Sequence, residues 1–159
     1  MKVDIGLTDA QREGVCQVLR SLLADEFTLY TKARNYHWNV VGPHFHDLHK
    51  LFEEQYEALD EIVDEVAERI RALGGVTPGT LQEFSQAKRL GEHPGVVPQW
   101  REMVRNLAAD HEAIIRQLRA DIETVQNQYH DLGTADFLTG LMEEHEKHAW
   151  MLRATAQES

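Results

Sequence analysis

Between His37 and Glu68 the chain carries imidazoles and carboxylates at helical spacing, among them His37, His49, Glu53, Asp64 and Glu68. Nitrogen and oxygen donors of this kind suit iron, zinc or manganese, so any chemistry the protein performs is expected here. His49 and Glu53 are four residues apart, as are Asp64 and Glu68, so each pair can present two ligands side by side on one helix. Each pair is half a site. Fifteen residues separate the two pairs, which at the helical rise is about 22 Å, far beyond the span of one metal centre. A second copy of the helix, packed antiparallel about a two-fold axis near Ala58 and Leu59, would bring His49 and Glu53 of one chain opposite Asp64 and Glu68 of the other. Two identical sites per dimer follow from that spacing.

Other candidates are weaker. A di-iron centre inside one bundle would use Glu-x-x-His pairs, and the chain has none. Glu144 and His148, four apart, read as a surface pair, and His44, His46, His93, His111, His130 and His145 as single structural or solvated histidines. The run His44, His46, His49 has the look of a zinc motif, but its first part falls in the loop around Gly42-Pro43. Glu26 lies on or beside an apolar stripe, where a carboxylate is expected to be paired, and no catalytic role is assigned to it.

The elements that must position these residues are all helical. Thr8 and Gln11 form a capping box ahead of a stripe through Val15, Leu19, Leu22, Leu29 and Ala33, so the first helix runs to about His37 or Trp38. A second helix spans about His46 to Leu73, stopped by Gly74-Gly75, with Leu48, Phe52, Leu59, Val63, Val66 and Ile70 facing the core. Its ligand residues fall about 130° away on the helical wheel. Thr80 and Glu83 open a short connector helix. Pro98 starts the third long helix, and Thr134 caps the fourth. This pattern predicts an all-α fold: one domain over residues 1–159, a ferritin-like four-helix bundle with a short extra helix in the connection between the second and third long helices.

At 159 residues the chain is long enough for one real core, and its formal net charge of -11 opposes a polyanion while favouring cations. A single cysteine, Cys16, excludes an intrachain disulfide, and the first residues lack the regions of a signal peptide, so the expected compartment is the cytoplasm. No apolar run approaches the roughly 20 residues of a membrane span.

The motif His37-Trp38-Asn39, Gly42, Phe45, Leu48-His49, Phe52, Tyr56, Asp64, Ala67-Glu68-Arg69 and Leu73-Gly74-Gly75 resembles the signature of the Dps mini-ferritins over about forty residues. The resemblance implies a hollow dodecamer that oxidises Fe(II) with hydrogen peroxide, or more slowly with O2, at sites between two-fold-related subunits, and stores Fe(III) mineral. It assigns Asp64 and Glu68 of one subunit and His37 of the neighbour to the first iron, with Glu68 bridging, and His49 and Glu53 to the second. Zinc can substitute for iron at such a site. Position 53 is often aspartate in the family; glutamate here adds one methylene. Trp38 would shield the site, and Asp136 with Asp131 would lie at the three-fold pore. The alternative function is a nucleoid-associated DNA-binding protein. DNA binding is not expected, because neither Lys2 and Asp4 at one end nor Arg153 and Glu158 at the other form a basic arm.

Overall fold

The computed structural model describes residues 3–157, so Lys2 and Glu158 lie outside the described residues. Five α-helices follow in order: α1 (Asp9–Asn39), α2 (Phe45–Ala72), α3 (Leu81–Ala87), α4 (Trp100–Glu123) and α5 (Leu132–Ala156). A five-residue π-helical turn, Thr124–Gln128, widens the end of α4, with Tyr129 N–H donating to the Thr124 carbonyl five residues back. The long helices pair chiefly as α1 with α2 and α4 with α5, and the crossover from α2 to α4 lays α3 against α1. The expected four-helix bundle with its extra connector helix is the observed architecture.

The caps explain the boundaries. The Thr8–Gln11 and Thr80–Glu83 capping boxes form in full. Gly74 adopts φ +85°, the left-handed conformation that ends α2, and Gly75 N–H returns to the Ile70 carbonyl at 3.0 Å. Two expectations need correcting. Asp131, not Thr134, caps α5, its carboxylate accepting from Thr134 N–H at 3.0 Å. Pro98 precedes the cap Gln99 rather than opening α4, which begins at Trp100.

The stripes close on one core containing Leu19, Leu22, Phe52, Leu59, Met103, Leu107, Leu118 and Leu138, all at most 1% exposed. On α2 Ile62 is buried, while Val63, on the other flank of the same stripe, packs at the margin. The crossover is fastened to α1 by Asp25, which is buried and accepts from Arg89 N–H (2.6 Å), Leu90 N–H (3.1 Å) and Arg89 Nε (2.7 Å). Lys32 adds an ion pair to Asp110 and a hydrogen bond to the Gly91 carbonyl. Among the described residues, no helix is long and apolar enough to cross a membrane.

Candidate metal centre

The turn between α1 and α2 folds His37, in the last turn of one helix, onto His49, in the first turns of the next. The two imidazoles stack with centroids 3.7 Å apart and planes 18° from parallel. Each binds the other's backbone: His37 Nδ1 lies 2.8 Å from the His49 carbonyl, and His49 Nδ1 lies 2.8 Å from the His37 carbonyl. A carbonyl only accepts, so both Nδ1 atoms donate, and a neutral ring then keeps its lone pair on Nε2. A hydrogen bond to the non-ligating nitrogen is how proteins fix a metal-binding histidine. Tyr56 closes edge-on against His37 and Phe45 stacks on His49, so neither ring is free to turn.

Glu53 follows one helical turn after His49. Its hydrogen bond to Lys50, 2.5 Å from carboxylate to ammonium, holds its carboxyl below the ordinary carboxylate value, with smaller pulls from Lys50 charge, His37 and His49. It is an anion beside the two imidazoles. Asp64 and Glu68 are exposed further along the same helix. The chain thus brings together His37, His49 and Glu53 at one end of α2 and leaves Asp64 and Glu68 at the other. Among the described residues, no three histidine, cysteine or carboxylate side chains converge closely enough to hold a metal ion. Around the histidine pair Trp38 (66%), Val41 (72%) and Phe45 (45%) stand open to solvent.

The reading of the remaining polar residues changes in the structure. Glu144 and His148 do not form a surface pair: His148 is half-buried and its Nδ1 lies 2.7 Å from Gln55 Nε2. Burial, with smaller contributions from His145 and Lys147, pushes His148 down to about 4. His111 and His145 are fully buried and bonded to each other, and Glu26 is paired, through His145 Nε2 at 2.9 Å. The sequence carries this signal only helix by helix, not as one layer. On each helix one polar residue stands in register with the apolar stripe: Glu26 between Leu22 and Leu29, Gln55 between Phe52 and Leu59, His111 between Leu107 and Ile114, and His145 between Leu141 and Leu152. Asp131 is buried, held by Thr134 and near Arg69 (3.5 Å), so it is occupied as a cap, while Asp136 is exposed.

With that geometry in hand, comparison with known proteins is decisive. The ferritin-like domain model matches residues 16–158. An uncharacterized low temperature-induced protein of Nostoc sp. is 52% identical over 153 residues, covering 96% of this chain and 86% of that protein. DNA protection during starvation protein 2 of Bacillus anthracis is 40% identical over 141 residues, covering 88% of this chain and 94% of that one. The chain belongs to the Dps family of ferritin-like proteins. Solved Dps structures agree. DpsC from Streptomyces coelicolor superposes with a TM-score of 0.96 at 29% identity, covering 100% of this chain and 92% of that one. The Dps protein of Vibrio cholerae O1, described as a member of a broad superfamily of ferritin-like diiron-carboxylate proteins, gives 0.90 at 30% identity over 99% and 98%.

Proposed function

We propose that this Dps-family protein oxidises Fe(II) at di-iron sites shared between two-fold-related subunits and stores the Fe(III) product as mineral inside a hollow dodecamer. The observation that carries this reading is the His37–His49 clasp: two rings locked by their Nδ1–H bonds with Nε2 free, a donor pair without enough partners among the described residues of its own chain. An antiparallel second subunit supplies the missing carboxylates. Asp64 and Glu68 of one subunit hold the first Fe(II) with His37 of the partner subunit, Glu68 bridges, and His49 and Glu53 of that partner hold the second. Lys50 is exposed on a flexible stem and swings away from Glu53 when a divalent cation arrives. The apolar patch of Trp38, Val41 and Phe45 is then covered by the partner, and Trp38 shields the site.

Iron is substrate here. Each of two Fe(II) ions loses one electron, and hydrogen peroxide takes both as its O–O bond breaks, so no hydroxyl radical escapes. O2 serves as a slower oxidant. Hydrolysis of Fe(III) releases protons and drives the product inward. The formal charge of -11 per chain favours cation uptake and disfavours DNA, and Asp136 rather than Asp131 is the acidic group exposed to guide Fe(II). Protection of DNA, the activity in the name of the Bacillus anthracis relative, is on this reading indirect, through removal of Fe(II) and peroxide.

Anaerobic titration of the apo-protein with Fe(II), followed by peroxide, tests the proposal. The expected result is binding of about two Fe(II) per subunit, all oxidised on addition of one peroxide per pair. Peroxide consumption no faster than by Fe(II) in buffer would overturn it.

A further inference from the structure

Apart from the histidine clasp, the bundle contains a second concentration of titratable groups, at its centre. Glu26 of α1, Gln55 of α2, His111 of α4 and His145 of α5 are each at most 1% exposed and form one hydrogen-bonded chain across all four long helices. Glu26 Oε1 lies 2.9 Å from His145 Nε2, the two Nδ1 atoms of His145 and His111 are 2.8 Å apart, and His111 Nε2 is 2.7 Å from Gln55 Oε1. Half-buried His148 extends the chain from Gln55 Nε2.

These contacts restrict where protons sit. His145 Nε2 faces an acceptor, the Glu26 carboxylate, and therefore donates. His111 Nε2 faces the Gln55 amide oxygen and donates too. Two neutral rings would then turn bare lone pairs toward each other at 2.8 Å, a separation that a hydrogen bond produces and lone-pair repulsion does not. One Nδ1 carries an additional proton. We propose that this layer holds one proton more than its neutral imidazoles account for, carried by His145 as an imidazolium against the Glu26 carboxylate and donated through Nδ1 to His111.

Charge balance points the same way. Glu26 has no exposure, and its Oε2 has no hydrogen-bond partner, so without a cation the layer would bury an uncompensated anion at high cost. His111 is the neutral member: burial, then the charges of His145 and His148, push it well below the ordinary histidine value. The groups facing the pair are Glu26 from α1, His111 from α4, and Glu144 and His148 from α5; α2 contributes the uncharged Gln55, with Glu61 and Glu65 further out toward Glu144. Lys147 acts on His148. Losing the proton requires a rearrangement. Gln55 must turn its amide over to donate to His111 Nε2, and His148 must move its own proton to Nδ1 to serve the amide oxygen. The layer is therefore a lock with two discrete proton arrangements.

Nitrogen-15 magic-angle-spinning NMR of the apo assembly, labelled at its nine histidines and dialysed against chelator, tests this. At pH 8 a histidine with the ordinary value near 6.5 is only about 3% protonated. The expected result is one fully doubly protonated imidazole at that pH, absent in His145→Gln and converted to a neutral one in Glu26→Gln. If either variant fails to fold, the wild-type spectrum alone decides. Nine neutral imidazoles at pH 8 would overturn the proposal. So would a stoichiometric metal ion surviving chelation with both His111 and His145 as its ligands.

Discussion

The half-buried His148 makes the acid sensitivity of the bundle calculable. Its proton affinity falls from the ordinary 6.5 to about 4, chiefly through burial. Between those values the unfolded chain takes up a proton that the folded chain refuses. The contribution of His148 is thus fully present above about pH 6.5, declines as pH falls, and levels off below about 4. Integrating that linkage gives a loss of about 2 kcal/mol per subunit between pH 7 and pH 5, and about 3 kcal/mol at the acid limit. The shifted His111 adds a further loss in the same direction. His148→Gln keeps an acceptor for Gln55 Nε2 but removes the titration, so the variant should lose less stability over this range than the parent does. Urea unfolding of both proteins at one fixed subunit concentration, pH 7 to 5, measures the difference in slope free of titrations the two share. Parallel pH profiles for the two proteins would refute the reasoning.

Mixing provides the sharpest test of a shared metal site. His37→Ala and Asp64→Ala should each abolish most Fe(II) oxidation while leaving the assembly intact. Subunit exchange between them should restore about a quarter of the parental rate, since half the dimers are mixed and each mixed dimer keeps one of its two sites whole; no recovery after exchange proven by mass spectrometry counts against sharing. Plasmid should not be retarded in a gel shift near 0.15 M salt without divalent metal, because the chain is strongly acidic, and persistent retardation there would favour the nucleoid reading. Gly14→Ala should cost about 1–3 kcal/mol, because the added Cβ would lie 2.2 Å from the Tyr129 ring, and an unchanged thermal midpoint would show that the ring moves aside freely.

Local spacing made much of this molecule legible. The capping boxes at Thr8 and Thr80, the left-handed stop at Gly74 and the stripes of all four long helices depend on residues within a few positions of one another, and they appear as expected. The spacing of His49 with Glu53 and of Asp64 with Glu68 along α2 was legible for the same reason. The clasp between His37 and His49 was not, because it depends on how the turn at Gly42 folds one helix end onto the next. Nor was the central layer. A histidine on an apolar face is ordinary when taken singly, and only the meeting of four stripes shows that Glu26, Gln55, His111 and His145 belong to one another. Thr134 was the expected cap of α5; the structure puts Asp131 there instead, its carboxylate accepting from Thr134 N–H, because the helix begins at Leu132, earlier than the sequence suggested.

That central layer also determines which bundle the chain can form. Leucine packs against leucine almost as well after a helix slides by one turn, so the greasy parts of the four stripes tolerate several alignments. The polar residues do not. A displacement of about 5.4 Å along any one helix would set a carboxylate or an imidazole against hydrocarbon and leave its former neighbour unpaired, at several kcal/mol for each orphaned group. Glu26, Gln55, His111 and His145 therefore act as a vernier: all the marks coincide at one setting of the four helices. Because α2 carries the proposed iron ligands at both of its ends, fixing its height in the bundle also fixes where those ligands emerge on the surface.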